Sequence, residues 1–558
     1  MQKEDIERLL KLDNKAIERN DISQDLLCLF DCQILLLSEN ITDEAFSIYK
    51  KFVDMKQDAP ETMKKNLFSI MLNYILEKVN NKQYSDALFL YRFLLVKSEL
   101  SSDSFYKIGE VFFYLGNIDL AVKFLKLYEK KETNKPLLFL TLANFYNLEL
   151  KDYKTAIKYY EKYLQIDETK PVIYTITASV YAKLYGDLSL KDQIYYFTKS
   201  YNLRPNDRLS IQGLAFCYEK FGDVVNAKYF YEKLLADCNP TPTDFYNYGA
   251  FLISCGDFSE GHKYFTYRFL VDDKNLKYPL DFDIERKWDF KQDISDKILL
   301  VHYEQGFGDT FMYCRFVPYL KKIAKRVIFV VQDSLFDLIN NSELISNGVE
   351  VVSDKTDIKT LDYDVHIALL DTPYALGITV DNIPYKNAYL EVAESKIKAY
   401  ADKYIKNTSN LKVGIAYRGD RSANYNGRDI EFSRFRTLFN LENIDFYSLQ
   451  VDSDEEDFVT SLGNTFEDFT DTASAIKNMD IIISTDNVIL NLAGALGVKT
   501  LGMFNKYTNF RWYKLSGDDI GWYSSVKPIQ VEENNCWSDV FSAITNELSG
   551  YITLSANK

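Results

Sequence analysis

A repeat constrains this chain more than any other feature. Ala87, Ala121, Ala156, Ala227 and Gly261 fall at steps of 34, 35, 71 and 34 residues, and the step of 71 spans two periods. Each is followed four positions on by a bulky side chain: Tyr91, Leu125, Tyr160, Tyr231 and Phe265. Upstream in the same units a small residue precedes a bulky one by three, in the pairs Gly109 and Phe112, Ala143 and Tyr146, Ala178 and Tyr181, Ala215 and Tyr218, and Gly249 and Leu252. Turn signals separate the two runs: Leu115-Gly116-Asn117, Tyr185-Gly186-Asp187, Phe221-Gly222-Asp223 and Cys255-Gly256-Asp257. Pro136, Pro171, Pro205 and Pro240 punctuate between units. Spacings of three and four put residues on one face of a helix. The small residues let two such helices approach closely, so each unit reads as a helical hairpin. A hairpin of this size cannot bury its apolar face alone and must stack on its neighbours.

A period of this length with small residues at the crossing is the tetratricopeptide pattern. About seven units are expected between residues 24 and 272. Ala45 and Tyr49 mark a weaker first unit, and the fifth is degenerate, with Gln193-Ile194 where the small residue belongs. The stack predicts a concave surface that holds a partner, and a scaffold without chemistry would look the same. Counting outward positions on the first helices gives Glu110, Phe113, Asn144, Asn147, Phe216 and Glu219. Phe113, Asn144, Asn147 and Phe216 are the candidate acceptor groove.

The rhythm changes near residue 273. A connector over 273–295 passes Tyr278-Pro279 and Trp288. Short β-branched runs then alternate with helical stretches such as Thr310–Ile323 and Val488–Leu496. The strand candidates are Lys297–Tyr303, Arg326–Val331, Val349–Val352, Asp364–Ala368, Lys412–Tyr417, Asp445–Leu449, Asp480–Ser484 and Lys499–Gly502. Such alternation implies parallel sheets with crossover helices. The polar stretch Tyr400–Asn410 divides this half into two lobes, 296–400 and 408–545. The predicted fold class is an all-α superhelix followed by α/β, with two doubly wound Rossmann-like lobes facing a cleft. Ligands are expected at the carboxyl ends of the strands.

The 558 residues carry a net charge of −15, from 66 Lys and Arg against 81 Asp and Glu, which opposes broad nucleic-acid binding. The start Met1-Gln2-Lys3-Glu4-Asp5 has no apolar run behind it. No segment approaches the ~20 apolar residues of a membrane span, so a cytoplasmic chain without membrane insertion is expected. Seven scattered cysteines form no CxxC pair, so they read as small buried apolar side chains. His262, His302 and His366 are the only histidines, and His366 reads as structural. The acidic run Asp452-Ser453-Asp454-Glu455-Glu456-Asp457 reads as a solvated turn. No metal is expected.

The densest chemistry follows the first strand candidate, in Glu304-Gln305-Gly306-Phe307-Gly308-Asp309-Thr310. Two glycines suit a tight turn and close backbone approach, and a helix is expected to begin near Asp309, which could equally be a plain N-cap. This segment, followed by Arg315-Phe316-Val317-Pro318, resembles the opening of glycosyltransferase domains fused to tetratricopeptide repeats. Those domains are similar to the lipopolysaccharide heptosyltransferases and have the GT-B fold. The resemblance continues in order through Tyr363-Asp364-Val365-His366, Val413-Gly414-Ile415-Ala416-Tyr417-Arg418-Gly419, Arg428-Asp429-Ile430, Asp471-Thr472-Ala473, Asp486, Leu492-Ala493-Gly494-Ala495-Leu496-Gly497, Phe510-Arg511-Trp512 and Trp522-Tyr523. It spans about residues 286 to 540.

The resemblance implies transfer of a sugar from a nucleotide-sugar co-substrate, without a cofactor. The acceptor is a Ser or Thr hydroxyl of a protein held by the repeats, flagellin among the acceptors of such fusions. It implies Asp309 as the general base, with Glu304, Gln305, Gly306, Gly308 and Thr310 forming the cleft loop. The donor falls to Arg418, Arg428, Asp486, Asn487, Asn491 and Arg511 in the second lobe. There the helix starting after Asp486-Asn487 is expected to offer N–H groups to phosphate. Each arginine also suits a surface salt bridge, Asp486 also suits an N-cap, and Trp512 also suits the core. Asn487 and Asn491 stand where the family has Thr or Ser and His, and an amide cannot carry a proton at neutral pH. Those departures leave room for a repeat scaffold with a decayed transferase domain. A glycolipid transferase is the third reading, opposed by the repeats and by the lack of a basic amphipathic helix.

Overall fold

The computed structural model describes residues 29–31, 33–34, 37, 40–53, 71, 73–97, 102–132, 134–273, 279, 282–419, 428–451, 458–506, 508–515, 517–532 and 536–556. The acidic run 452–457 and Tyr278 of the connector lie outside them. The chain forms two compact units, residues 1–230 and 231–558.

The first unit contains α1 (Asp43–Val53), α2 (Tyr84–Lys97), α3 (Ser102–Tyr114), α4 (Ile118–Lys131), α5 (Pro136–Asn144), α6 (Tyr153–Leu164), α7 (Pro171–Tyr185), α8 (Leu190–Leu203) and α9 (Arg208–Phe221), and α10 (Val224–Asp237) runs across the border. Local chemistry sets their ends. Pro136 and Pro171 open α5 and α7, where a missing N–H costs nothing. Asn117, Asp152 and Asp207 accept backbone N–H groups at the starts of α4, α6 and α9. Gly116, Gly186 and Gly222 have φ of +76°, +54° and +84°, so the turn signals mark left-handed backbone that glycine enters without strain. A Cβ on Gly109 would stand 2.9 Å from Leu125 Cγ, which is why α3 needs a small residue there to meet α4. The degenerate unit solves the problem differently. Gln193 is buried and donates to the Gly186 carbonyl at 2.9 Å, while Gly213 of α9 passes the Phe197 ring, where a Cβ would come within 2.5 Å.

The second unit begins with the last hairpin, α11 (Pro242–Ser254) and α12 (Phe258–Phe265). This hairpin, part of the expected superhelix, packs on the sheets that follow and so falls in the second unit. Phe258 stacks on Trp522 at 5.4 Å between ring centres, and Phe265 meets Phe510 at 5.0 Å. The first sheet has β1 (Ile298–His302), β2 (Arg326–Val331), β3 (Glu350–Ser353) and β4 (Val365–Ala368) in the order β3-β2-β1-β4. The second has β5 (Leu411–Ala416), β6 (Ile444–Ser448), β7 (Thr460–Ser461), β8 (Ile481–Thr485), β9 (Thr500–Phe504) and β10 (Val526–Gln530) in the order β10-β9-β8-β5-β6-β7. Every pairing is parallel. The strand order reverses beside β1 and beside β5, so each sheet has a switch point where its loops part. Helices α13 (Phe307–Tyr313), α14 (Asp333–Asn340), α15 (Glu394–Tyr404), α16 (Phe469–Lys477), α17 (Val488–Ala495) and α18 (Ser538–Ala556) flank the sheets.

Several sequence expectations change here. The helix expected over Thr310–Ile323 breaks after Tyr313 into a tight turn at Cys314–Phe316 and a single turn at Val317–Leu320, where Pro318 has no N–H to continue the ladder. Strands β7 and β10 lie outside the eight expected ones. The first is only two residues long, and β10 carries Pro528 on a sheet edge, where proline is tolerated. The lobe division at Tyr400–Asn410 also moves. Helix α15 packs on the second lobe, through Tyr400 to Thr465 at 2.6 Å and the Asn478 amide to the Ile397 carbonyl at 3.0 Å. The second lobe runs past 545 to the end of α18 at Ala556. Cys217 and Cys314 are buried as expected, whereas Cys255 and Cys536 are exposed.

Candidate functional site

A cavity of about 930 Å³ opens between the two sheets of the second unit. Its wall is built from the segments that leave the carboxyl ends of six strands. Gln305 and Asp309 follow β1, Gln332 follows β2, Arg418 follows β5, Gln450 follows β6, Asp486 follows β8, and Asn509 and Arg511 follow β9. Parallel strands all point the same way, so their following loops gather at one end of each sheet.

The loop after β1 is shaped by Gln305, not by its glycines. Gln305 has φ of +57°, while Gly306 sits at −89° as the N-cap of α13. Asp309 is therefore the third residue of the helix and not its cap. Its Oδ2 accepts the Gly306 N–H at 3.2 Å. Its Oδ1 lies 2.5 Å from Arg511 Nε. Arg511 also donates to Gln305 Oε1 at 2.5 Å and to Asn509 Oδ1 at 2.7 Å. One guanidinium thus ties the loop after β1 to the loop after β9. Gly308 matters for a close approach, since a Cβ there would stand 3.0 Å from Asn491 Nδ2 and 3.8 Å from Val488 Cα on α17.

The residues expected to bind the donor fall into two groups. Arg418, Arg428, Asp486 and Arg511 present side chains around the cavity. Arg428 Nη1 donates to the Asp486 carbonyl at 3.3 Å, and its guanidinium covers Gly419, where a Cβ would meet Nη2 at 2.5 Å. Burial pushes the Asp486 carboxyl up, and the neighbouring Trp512 indole and the charges of Arg428 and Arg511 pull it back. Trp512 is buried and also lines the cavity. The asparagines are occupied within the protein. Asn487, and not Asp486, caps α17, its Oδ1 accepting from the Ile489 N–H at 2.8 Å and the Leu490 N–H at 3.3 Å. Those N–H groups are then committed to the cap, which limits the anion site expected at this helix start. Asn491 donates to the Asn487 carbonyl at 3.1 Å and accepts from the Tyr523 hydroxyl at 3.0 Å.

Two expected cleft-loop residues do not reach the cavity wall. Thr310 is buried and donates to Gln332 Oε1 at 2.9 Å. Glu304 is buried in an ion cluster with Arg268, which follows α12. Arg268 gives Nε to Glu304 Oε2 at 2.7 Å and Nη2 to Oε1 at 2.5 Å, and its Nη1 reaches Asp371 Oδ1 at 2.5 Å and the Phe265 carbonyl at 3.0 Å. Burial pushes the Glu304 carboxyl up, and Arg268 opposes that. Glu304 therefore anchors the last hairpin instead of facing a ligand. Sequence reasoning missed Arg268 and Asp371, which lie 103 positions apart and share no motif. Arg315, quoted in the motif but given no role there, is buried and donates to the Trp522 carbonyl at 2.6 Å and to the Tyr389 hydroxyl at 2.8 Å.

No histidine is among the residues lining the cavity. Burial pushes His262 and His302 down to about 3 and His366 to about 4, so all three are neutral at pH 7. His366 lies inside β4 and meets the Asp283 carbonyl at 3.1 Å. Among the described residues, no group of three or more His, Cys, Asp or Glu side chains is placed to hold a metal ion. No described helix is long and apolar enough to cross a membrane.

In the first unit the expected groove divides. Phe216 is exposed, with Lys220 Nζ over its ring at 5.6 Å, and Phe113 is partly exposed and stacks on Phe145 at 4.8 Å. The asparagines turn inward. Asn144 Oδ1 accepts from the Tyr160 hydroxyl at 2.7 Å, and Asn147 is buried and donates to the same hydroxyl at 3.3 Å. They lie where α5 runs into a π-helical turn at Phe145–Glu149, which rotates the following residues off the regular helical face.

No family model matches the chain. It is similar to Protein FlbA of Caulobacter vibrioides, at 22% identity over 397 residues, which is 64% of this chain and 64% of that protein. The chain thus spans a little under two thirds of that relative's length. Among solved structures it is similar to the C-terminal part of a TPR repeat-containing protein of Cytophaga hutchinsonii, at 18% identity and TM-score 0.31, covering 44% of this chain and 97% of that one. It is also similar to YrrB, described as a TPR protein with an unusual peptide-binding site, at 15% identity and TM-score 0.28, covering 32% of this chain and 89% of that one. The tetratricopeptide-like character of the helical region stands on its own hairpins, which keep the 34-residue step from Ala87 to Ala121 in the folded chain.

Proposed function

We propose that this chain is a two-lobed (GT-B) glycosyltransferase that moves a sugar from a nucleotide-sugar to a Ser or Thr hydroxyl of a protein acceptor. The observation that carries the reading is the cavity at the strand carboxyl ends. It gathers Asp309, from the loop after β1, into one space with three arginines, Arg418, Arg428 and Arg511, from the other lobe. Transfer to a hydroxyl needs a base for the acceptor proton and cations for the departing phosphate. Asp309 supplies the first from the β1 side, and the arginines supply the second from the β5 and β9 sides. Phe307, Phe466 and Phe469 give the cavity an apolar wall that suits a sugar ring face or a base. The superhelix would hold the acceptor polypeptide, with Phe216 and Phe113 as contact points, in a cytoplasmic setting.

The test is release of free nucleotide from a panel of nucleotide-sugars, with and without candidate acceptors, flagellin first. A mass increment on the acceptor that depends on the chain supports the reading. Absence of turnover across the panel, with the cavity still binding nucleotide, favours the scaffold reading instead.

A further inference from the structure

Resting on that reading, we infer that Arg511 is a donor-operated switch on Asp309: it clamps the carboxylate until a diphosphate arrives, and then leaves it for that diphosphate. In the clamp both Asp309 oxygens are engaged, Oδ1 by Arg511 and Oδ2 by the Gly306 N–H. A carboxylate held in this way has both oxygens turned to partners within the protein, and not to an acceptor O–H.

The rest of the guanidinium is held by neutral groups. Beside the ion pair with Asp309, its hydrogen bonds run to the amide oxygens of Gln305 and Asn509. A diphosphate carries more negative charge than one carboxylate and offers paired oxygens that match the arginine fork. The fork sits at the cavity wall on the loop after β9, with Arg428 and Arg418 across the same space. Exchange of the fork from Asp309 to phosphate would therefore be favourable only when donor is present. It frees the base at the moment the leaving group is in place.

The step then balances. The acceptor oxygen attacks the anomeric carbon, its proton passes to Asp309, and the bond from that carbon to the phosphate oxygen breaks. The electron pair stays on the phosphate oxygen, where Arg511 meets the new charge. Binding order follows: donor first, acceptor second.

The experiment is calorimetric titration of the full chain with inorganic pyrophosphate, in a double-mutant cycle of Asp309→Asn and Arg511→Gln. If the fork must leave Asp309 to take phosphate, Asp309→Asn binds pyrophosphate about tenfold or more tightly than wild type, the factor set by one lost charge-assisted bond. Arg511→Gln weakens binding, and in that background the gain from Asp309→Asn disappears. A merely structural role for Arg511 would not produce a gain at all. Three results overturn the inference: unchanged or weaker binding by Asp309→Asn, a gain that persists without Arg511, or no pyrophosphate binding by any form. Persistence would mean simple relief of repulsion. Should Arg511→Gln fail to fold, Arg511→Lys closes the same cycle, since it keeps the charge but not the fork. The two readings fail separately. Coupling without turnover of any nucleotide-sugar sinks the transferase reading alone, and turnover without coupling sinks the switch alone.

Discussion

Replacing Arg268 by methionine should undo the second unit while leaving the first intact. The side chain is fully buried, and so are its partners Glu304 and Asp371. Methionine keeps much of the volume and removes the cation these two carboxylates share. Breaking a buried ion pair from one side costs about 3–5 kcal/mol, because the remaining charge has neither water nor a partner. Against a domain stability of about 5–15 kcal/mol that is a large fraction. The assay is urea unfolding of the full chain followed by tryptophan fluorescence. All four tryptophans, Trp288, Trp512, Trp522 and Trp537, lie in the second unit, so the signal reports that unit alone. The loss should also depend on pH. In the variant Glu304 is buried without this cation, so the burial that already pushes its carboxyl up acts without the opposing charge of Arg268. The destabilisation is then smallest below the unfolded value of about 4 and grows as pH rises through the raised folded value. The gap from wild type should therefore narrow between pH 7 and pH 5. A variant within about 0.5 kcal/mol of wild type at pH 7, the ordinary surface range, would refute the argument, and so would a gap that ignores pH. A fragment starting at residue 273 lacks Arg268, Phe258 and Phe265, and should fail to unfold cooperatively for the same reason.

Three further outcomes are expected. Asp309→Asn should lower transfer by about 10²–10⁴-fold, the usual contribution of a general base, without weakening donor binding; turnover within a few-fold of wild type in a nucleotide-release assay would place the base elsewhere. Asn487→Ala should cost about 0.5–2 kcal/mol in the same fluorescence melt, because the α17 N–H groups of Ile489 and Leu490 lose their acceptor. Phe216→Ala should leave stability nearly unchanged, since the ring is exposed, yet reduce acceptor modification while donor binding holds; normal modification would show that this face does not capture the acceptor.

Much of the architecture was legible because it is local. Apolar runs and turn residues placed the eight expected strands within two residues at every end. The left-handed turns at Gly116, Gly186 and Gly222 follow from glycine alone. The loop after β1, which lines the cavity, was legible for a similar reason: a strand, a turn and a helix start are written in neighbouring residues. Side-chain fate was not legible in that way. Glu304 and Gln305 are adjacent, yet one is sealed against Arg268 and the other faces the cavity, because the chain turns between them with Gln305 at a φ of +57°. Asp486 and Asn487 are equally good caps by type, and the backbone selected Asn487.

The sequence by itself determined the repeat, the change to strand–helix alternation and the strand–turn–helix neighbourhood of Asp309, since each rests on preferences that residues a few positions apart express together. Only the tertiary structure decided that the last hairpin belongs with the sheets, that Arg511 is closed on Asp309, and that Asn144 and Asn147 turn inward to Tyr160. Those outcomes depend on charges and rings brought together from positions up to about two hundred residues apart, as in the Arg511–Gln305 bond across 206 positions. Desolvation makes such pairings strong when they form and costly when they do not, and spacing along the chain carries no record of which of them packing will allow.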